Sequence, residues 1–435
     1  NLGEIGIRMF QEEGFDVDVK TGLTPEALKE IIGAYNALVI RSATKVTEDL
    51  LEAATSLKVV GRAGIGLDNV DIPAATKRGV VVMNTPGGNV VTTAEHAIAM
   101  LLSLSRNIPQ GTATLKEGRW EKKKLQGREI LNKTLGVVGY GKIGSIVANR
   151  ARGLKMRVVI HDPFVMPQRI EKDGFEAVTF DELLARADYV TVHVPKMKET
   201  QALINQESLA KMKDGVMVLN CARGGIVDEA ALYEALMSGK VAGAALDVFE
   251  TEPPGKIPLL ELDNVICTPH LGASTKEAQT NVAMAVADQI INFLKHGNVI
   301  NAVNAPSVTG DLLEQLGPFL SLGEQIGALQ AQLIKGPLTE VIIEYAGDFK
   351  GLDMTPVTTA VIKGLLTPQV RDVVNFVNAH AIAKERQIKV TESISSESAE
   401  YVSLISVRAV TSETVSYTHL RAHETLRSIS YAVFC

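Results

Sequence analysis

Leu135-Gly136-Val137-Val138-Gly139-Tyr140-Gly141-Lys142-Ile143-Gly144 decides how this chain folds. A short apolar run ends in three glycines spaced G-x-G-x-x-G. Ser145-Ile146-Val147-Ala148-Asn149-Arg150 then continues with helical spacing. In such a strand–turn–helix, Gly139 permits the tight turn and Gly141 lets backbone N–H groups approach a pyrophosphate. Gly144 allows the helix to pack closely on the strand. The helix N-terminus, with unpaired donors and the positive dipole end, faces the phosphates; Lys142 and Ile143 belong to the same turn. A second apolar run, Met156-Arg157-Val158-Val159-Ile160, follows, and Asp162 comes 18 residues after Gly144. A carboxylate there accepts from the adenosine ribose hydroxyls and repels a 2′-phosphate, which points to NAD rather than NADP.

Working outward, the same grammar repeats. Ala37-Leu38-Val39-Ile40 ends at Arg41-Ser42, Leu57-Lys58-Val59-Val60 at Gly61-Arg62, and Val80-Val81-Val82-Met83 at Asn84. Phe15-Asp16-Val17-Asp18-Val19 alternates like a further strand, and Thr24-Pro25-Glu26 reads as a helix start with Thr24 as N-cap. Val90 to Arg106 is a long apolar helix, with His96 read as a capping or packing residue. Beyond the glycine motif, Asp188 to Pro195, Met217 to Gly225, Val241 to Phe249 and Val265 to Gly272 are strands that end in loops. A helix with a capping box runs from Ser274-Thr275-Lys276-Glu277 to about Gly297. Ligands of parallel α/β sheets bind beyond the carboxyl ends of the strands, where all the singled-out polar residues fall. Arg41, Ser42, Arg62 and Asn84 therefore suggest an anion site. Arg223, Asp247, Glu252 and His270 lie at the edge of the sheet that carries the dinucleotide, with Val194, Cys221, Ala222 and Gly272 beside them. His270 suits a general acid–base because imidazole titrates near neutrality, and Glu252 can fix its tautomer. Arg223 offers a planar fork for a carboxylate and a positive field for a carbonyl oxygen. Asp247 is read as orienting the nicotinamide.

Whole-chain properties narrow the class. The 435 residues are too many for one compact domain. A net charge of −6 gives no bulk attraction to nucleic acid or an acidic membrane, and no apolar run is long enough to span a bilayer. Cys221, Cys267 and Cys435 show neither metal-ligand spacing nor an even disulfide framework, so no metal is expected and a reducing, cytoplasmic setting is.

The glycine motif, Asn220-Cys221-Ala222-Arg223-Gly224-Gly225, Asp247-Val248-Phe249-x-x-Glu252-Pro253 and Thr268-Pro269-His270-Leu271-Gly272, in that order, resemble the D-specific 2-hydroxyacid dehydrogenases. Val39 to Lys45, Val60 to Asp71 and Asn84-Thr85-Pro86 are similar to the substrate side of that family. The resemblance covers roughly residues 1–414. It implies an α/β fold of two Rossmann-like, doubly wound parallel-sheet domains with a cleft between them, plus a C-terminal α+β domain. Residues 1–87 and 271–304 would form a discontinuous substrate domain, 88–270 the NAD domain, and 305–414 an intervening-type domain like that of the family's long forms. It implies catalysis by Arg223, Glu252 and His270 on a phosphorylated 2-hydroxyacid whose anionic ends meet Arg41 and Arg62. It also implies a homodimer or homotetramer in which Lys122, from the basic run around Trp120, reaches the neighbouring subunit's substrate. Two alternatives stay open: a reductase for 2-oxoglutarate, glycerate or lactate, and an NAD-sensing scaffold like the related corepressors.

Within 305–414, helices are expected over Leu312 to Leu333 and Val370 to Glu385, with strands such as Glu340 to Tyr345 and Tyr401 to Val407. Residues 415–435 read as a non-native tail with no partner element, in place of the small regulatory domain that usually follows in the long forms.

Overall fold

The computed structural model describes residues 2–306, 310–347, 349, 351–370, 373–395, 403–413 and 415–422. The chain divides into two compact units, residues 1–88 with 280–435, and residues 89–279.

The second unit is built on a seven-stranded sheet. Its strands are β4 (Thr134–Val138), β5 (Arg157–His161), β6 (Glu176–Ala177), β7 (Tyr189–Val192), β8 (Val216–Asn220), β9 (Val241–Leu246) and β10 (Val265–Cys267). All neighbouring pairs are parallel, in the order β10-β9-β8-β7-β4-β5-β6. The inner strands β4, β7, β8 and β9 are largely apolar because both faces are covered. Leu135, Val137, Tyr189, Met217 and Leu219 join one core with Ala94, Ala97, Met100 and Leu101 of the helix Val90–Ser105. Val138, Val190, Val192, Val216 and Val218 join the other with Leu183, Leu184 and Leu232. Strand order reverses at β4, which has β5 on one side and β7 on the other, so a crevice opens at its carboxyl end.

The first unit has a smaller parallel sheet, β1 (Ala37–Ile40), β2 (Val59–Arg62) and β3 (Val81–Asn84), in chain order. Its strands also alternate between two cores. Val60 and Val82 face Leu50, Leu51 and Ala75, while Val59, Val81 and Met83 face Val286, Ile290 and Phe10. Thr24 caps the helix Pro25–Ile31 as its sequence indicates, its hydroxyl accepting from Ala27 N at 3.2 Å. The expected strand over Phe15 to Val19 does not form. Phe15 and Val17 are half-buried against the core, so the alternation records side-chain burial without the backbone ladder that makes a strand. The capping box before the helix Lys276–His296 is also absent. Thr275, not Ser274, caps it by accepting from Ala278 N at 3.2 Å, and three residues on stands an alanine in place of an acid.

The rest of the first unit carries a mixed sheet, β11 (Leu338–Gly347), β12 (Lys389–Ser395), β13 (Ser403–Thr411) and β14 (Val415–Ala422), ordered β12-β11-β13-β14. Helices Gly310–Leu333 and Thr355–Leu366 pack with it around Ile326, Val341, Ile343, Val361 and Leu365. The helix expected over Val370 to Glu385 is confined to Ala379–Glu385. Upstream of it, Asn375 and Asn378 occupy the backbone with side-chain bonds: Asn378 Oδ1 accepts from Asn375 N at 2.7 Å, and Asn375 Oδ1 from Val377 N at 2.9 Å. These turns compete with a helix for the same donors. The supposed partnerless tail is corrected for its first residues, because β14 pairs antiparallel with β13 from Val410↔Val415 to Ser403↔Ala422. An exposed strand edge needs only backbone groups from its partner, so weak apolar periodicity did not prevent pairing. Residues 423–435 lie outside the described residues. Truncating the chain after residue 414 should therefore expose the outer edge of β13, and amide hydrogen exchange there should accelerate relative to β11. Unchanged protection of β13 would show that β14 adds nothing to the sheet.

Candidate active site

The candidate nucleotide-binding part of the second unit starts at the end of β4. Gly139 has φ +94°, a region open to glycine but strained for other residues. A Cβ on Gly144 would fall 1.9 Å from Gly139 O, so the helix Lys142–Gly153 approaches the strand end as closely as only glycine allows. A Cβ on Gly141 would meet nothing within 4 Å, which leaves open space over the N-terminus of that twelve-residue helix. Lys142 is exposed and Ile143 half-buried. Asp162 directly follows β5. Its Oδ2 accepts from Tyr140 N at 2.7 Å and its Oδ1 from Phe164 N at 2.8 Å, which fixes the carboxylate against the glycine turn. The open cradle, the helix N-terminus and the acid fit a dinucleotide with free ribose hydroxyls.

His193 and Val194 follow β7 beneath that turn; Val194 Cγ1 and His193 O both lie within 3 Å of where a Gly139 Cβ would stand. His193 was not singled out from the sequence. Its Nε2 is 3.0 Å from Thr191 Oγ1 and its Nδ1 is buried. Burial lowers its pKa to about 4, so the ring is neutral at physiological pH.

At the end of β8, Asn220 is buried and organises the next residues. Its Oδ1 accepts from Ala222 N at 3.0 Å and its Nδ2 donates to Arg223 O at 2.9 Å. The Arg223 guanidinium is half-buried, with Nη1 donating to Ala222 O at 2.7 Å. Burial, then the charge of Asp247, push the Cys221 thiol up, so it is a neutral packing group.

Asp247, just past β9, is 1% exposed. Oδ1 accepts from the Thr268 hydroxyl at 2.6 Å and Leu271 N at 2.7 Å, and Oδ2 from Gly272 N at 2.8 Å. His96 Nε2 lies 3.2 Å from Oδ1 and 3.1 Å from Thr268 Oγ1. Burial would raise this carboxyl, but the hydrogen bonds from His96, Thr268 and Leu271 outweigh it and hold the pKa below its usual value. The sequence suggested that Asp247 orients the nicotinamide; here its oxygens are committed to the 268–272 loop. The partnership of His96 with this carboxylate had no local signal, since 151 residues of sequence separate them.

That loop carries His270, which has φ +53° and donates from its backbone N to Asp247 O at 2.9 Å. Its Nδ1 is 2.7 Å from Glu252 Oε2, while Glu252 Oε1 accepts from Phe249 N at 3.2 Å. A proton on Nδ1 shared with the carboxylate leaves Nε2 as the nitrogen available to a reactant. The ring is 42% exposed, so a ligand has access to it.

In the first unit, Ile40, Arg62 and Asn84 share one rung at the carboxyl edge of the small sheet, and Arg41 and Ser42 follow at once. Asn69 Nδ2 donates to Arg41 O at 2.9 Å, and Asn84 Nδ2 to Ile65 O at 2.6 Å. The Arg62 guanidinium lies over Gly64, where a Cβ would stand 1.7 Å from Nη1. Both arginines are half-buried and Ser42 is exposed. Lys122 is exposed in the second unit.

The neutral, half-buried His193 has a consequence for stability. Its folded pKa lies below the ordinary 6.5, so its contribution is complete above pH 6.5 and is lost as pH falls towards about 4. A shift of this size corresponds to roughly 3 kcal/mol. Thermal or denaturant unfolding followed from pH 7 to 4 should show this acid loss, and His193→Gln should flatten it. An equally steep loss in the variant would clear His193 of the effect.

Comparisons with known proteins identify the family. The family model for the D-isomer specific 2-hydroxyacid dehydrogenase NAD binding domain matches residues 98–272. That for the D-3-phosphoglycerate dehydrogenase intervening domain matches residues 315–419. The D-3-phosphoglycerate dehydrogenase of Archaeoglobus fulgidus is 48% identical over 407 residues, 93% of this chain and 77% of the relative. That of Bacillus subtilis is 50% identical over 384 residues, 88% of this chain and 73% of the relative. Among solved structures, the D-lactate dehydrogenase of Aquifex aeolicus complexed with NAD and lactic acid aligns with a TM-score of 0.61 at 31% identity, covering 70% of this chain and 98% of that one. The NAD-dependent formate dehydrogenase of Staphylococcus aureus in complex with NAD gives 0.64 at 32% identity, covering 70% and 92%. With relatives this similar over most of both lengths, and with both family regions matched in the one chain, the chain belongs to the D-3-phosphoglycerate dehydrogenase family of NAD-dependent D-isomer specific 2-hydroxyacid dehydrogenases.

Proposed function

We propose that this chain oxidises 3-phospho-D-glycerate to 3-phosphohydroxypyruvate with NAD, the step that opens serine biosynthesis. The observation that carries the reading is the His270–Glu252 contact at 2.7 Å, set at the carboxyl edge of the sheet that bears the glycine turn and Asp162. NAD supplies the acceptor for the hydride that leaves C2 of the substrate. His270 Nε2 takes the proton of the C2 hydroxyl as that hydride departs, and Glu252 keeps the imidazole in the required tautomer and orientation. In the reverse direction the same nitrogen returns the proton to the ketone oxygen. Arg223 pairs with the substrate carboxylate and polarises the C2 oxygen. Asp162 receives the adenosine ribose hydroxyls, and the N-terminus of the helix Lys142–Gly153 receives the pyrophosphate. Val194, Cys221, Ala222 and Gly272 line the cofactor from the neighbouring strand ends, with Asp247 acting through the loop it braces. Arg41 and Arg62, with Ser42 and Asn84, take the substrate's anionic ends.

The chain acts as a homo-oligomer in which Lys122 serves the neighbouring subunit's substrate. No helix among the described residues is long and apolar enough to cross a membrane. Free Cys221 and Cys267 suit a cytoplasmic setting.

The deciding experiment follows NADH formation by the purified protein with 3-phosphoglycerate against unphosphorylated glycerate. Strong preference for the phosphorylated substrate is expected, and equal rates would redirect the assignment to another hydroxyacid. His270→Ala should lower kcat/KM by about 10²- to 10⁴-fold, as for other positioned acid–base groups. Near-wild-type turnover would remove His270 from the chemistry.

Arg41→Ala and Arg62→Ala should each mainly raise KM for phosphoglycerate. Loss of a charge-assisted contact is worth about 1.5–3 kcal/mol, or roughly ten- to a hundredfold. NAD affinity should hold in both variants, and unchanged KM in both would take the arginines out of the site.

A further inference from the structure

Tyr140, the residue between the first two glycines of the motif, is 7% exposed and bonded at both ends of its own length. Its backbone N–H donates to Asp162 Oδ2 at 2.7 Å. Its hydroxyl donates to Asp173 Oδ2 at 3.0 Å. Those two acids bracket the whole connection that leaves β5, turns at Pro163-Phe164 and runs through the short helix Pro167–Lys172. The ring between the two bonds packs edge-on against Phe175, with centroids 6.0 Å apart. Arg152 covers Phe175 from the helix that follows the glycines, 4.5 Å from its centroid, and donates through Nη1 to Asp173 O at 2.8 Å. Arg169 Nε also lies 3.8 Å from the Asp173 carboxylate. Burial, and then the bond to Asp173, raise the tyrosine pKa to about 12, so the hydroxyl remains a donor throughout the neutral range.

We propose that Tyr140 is a positioning residue for the adenosine half of the dinucleotide: through its paired bonds to Asp162 and Asp173 it staples the β5–β6 connection to the phosphate-binding turn and so sets where the ribose-binding carboxylate stands. The physical case is geometric. Asp162 has its two oxygens on two backbone donors, Tyr140 N from the glycine turn and Phe164 N from the connection after β5. If the Tyr140 hydroxyl lets go of Asp173, the far end of the connection keeps the Arg152 bond, the apolar seats of Ile170 and Phe175 and the β5–β6 pairing, but loses the side-chain bond that fixes Asp173 to the glycine turn, so the turn and the connection that carries Asp162 are no longer tied at both ends. A ligand that needs Asp162 in one orientation then carries the ordering cost at binding. The nicotinamide half, served from the ends of β8, β9 and β10, is not touched by this linkage.

The inference rests on the dinucleotide reading above, and its test separates the two. Calorimetric titrations of NAD, ADP-ribose and nicotinamide mononucleotide are compared for the wild type, Tyr140→Phe, Asp173→Ala and Asp173→Asn. Tyr140→Phe and Asp173→Ala should each weaken NAD and ADP-ribose by about three- to tenfold, part of the worth of one hydrogen bond to a charged group. Nicotinamide mononucleotide affinity and kcat at saturating NAD should stay put. Asp173→Asn, which keeps an acceptor for the hydroxyl, should restore wild-type affinity. The double variant Tyr140→Phe/Asp173→Ala should be no worse than either single one, because both remove the same bond. Unchanged ADP-ribose binding by Tyr140→Phe overturns the staple, even if its melting temperature falls. So does an equal loss for nicotinamide mononucleotide, or full additivity in the double variant. Wild-type protein that binds neither NAD nor ADP-ribose overturns the dinucleotide reading itself, and this proposal with it.

Discussion

The buried carboxylate of Asp247 is the constraint on which the proposed catalytic edge depends. It is 1% exposed, and the Thr268 hydroxyl and two backbone N–H groups converge on it, with His96 alongside. A charge so buried is tolerable only because each donor around it is itself committed. The consequence passes directly to the chemistry. The loop after β10 must curl around one carboxylate, its backbone is driven to φ +53° at His270, and the imidazole is delivered to Glu252. Backbone strain at a non-glycine residue persists where the surroundings over-determine it, and here they consist of these bonds.

The phosphate-facing turn follows a different logic, one of steric exclusion. The helix Lys142–Gly153 starts where it does because Gly144 can sit against Gly139 O. That contact sends the helix N-terminus towards the crevice at β4, where strand order reverses. The loop at Asp247 and the turn at Gly139 are thus two independent devices, one polar and one steric, that bring functional groups to one edge of a single sheet.

The C-terminal part of the chain contributes no catalytic constellation among the described residues, and its physics is that of a scaffold. Its core is apolar, and its buried polar groups pair with one another, as with Tyr345 and Thr358 at 2.8 Å. Gln330 Nε2 donates to Val407 O at 3.1 Å, which ties the long helix to β13. Asn375 Nδ2 donates to Gly79 O at 2.8 Å, so this part is also bonded to the small parallel sheet's surroundings within the same unit.

The sequence by itself determined a good deal. The glycine spacing, the acid after β5 and the repeated apolar runs identify the parallel sheets and their candidate functional edges, because each is a local rule about turns, caps and burial. The candidate residues at or past each strand end, from Arg41 and Arg62 to Arg223, Glu252 and His270, were legible for the same reason. Phe15 to Val19 and Val370 to Glu385 misled because alternation and helical spacing report side-chain burial, whereas strands need a ladder and helices need their backbone donors free of competing side chains. Only the tertiary structure decided that Asp247 serves a loop, that His96 joins it from a distant helix, and that His193 is held neutral below the glycine turn. Those facts depend on desolvation and on donors brought from remote segments, and neither quantity is written in the spacing of residues along the chain.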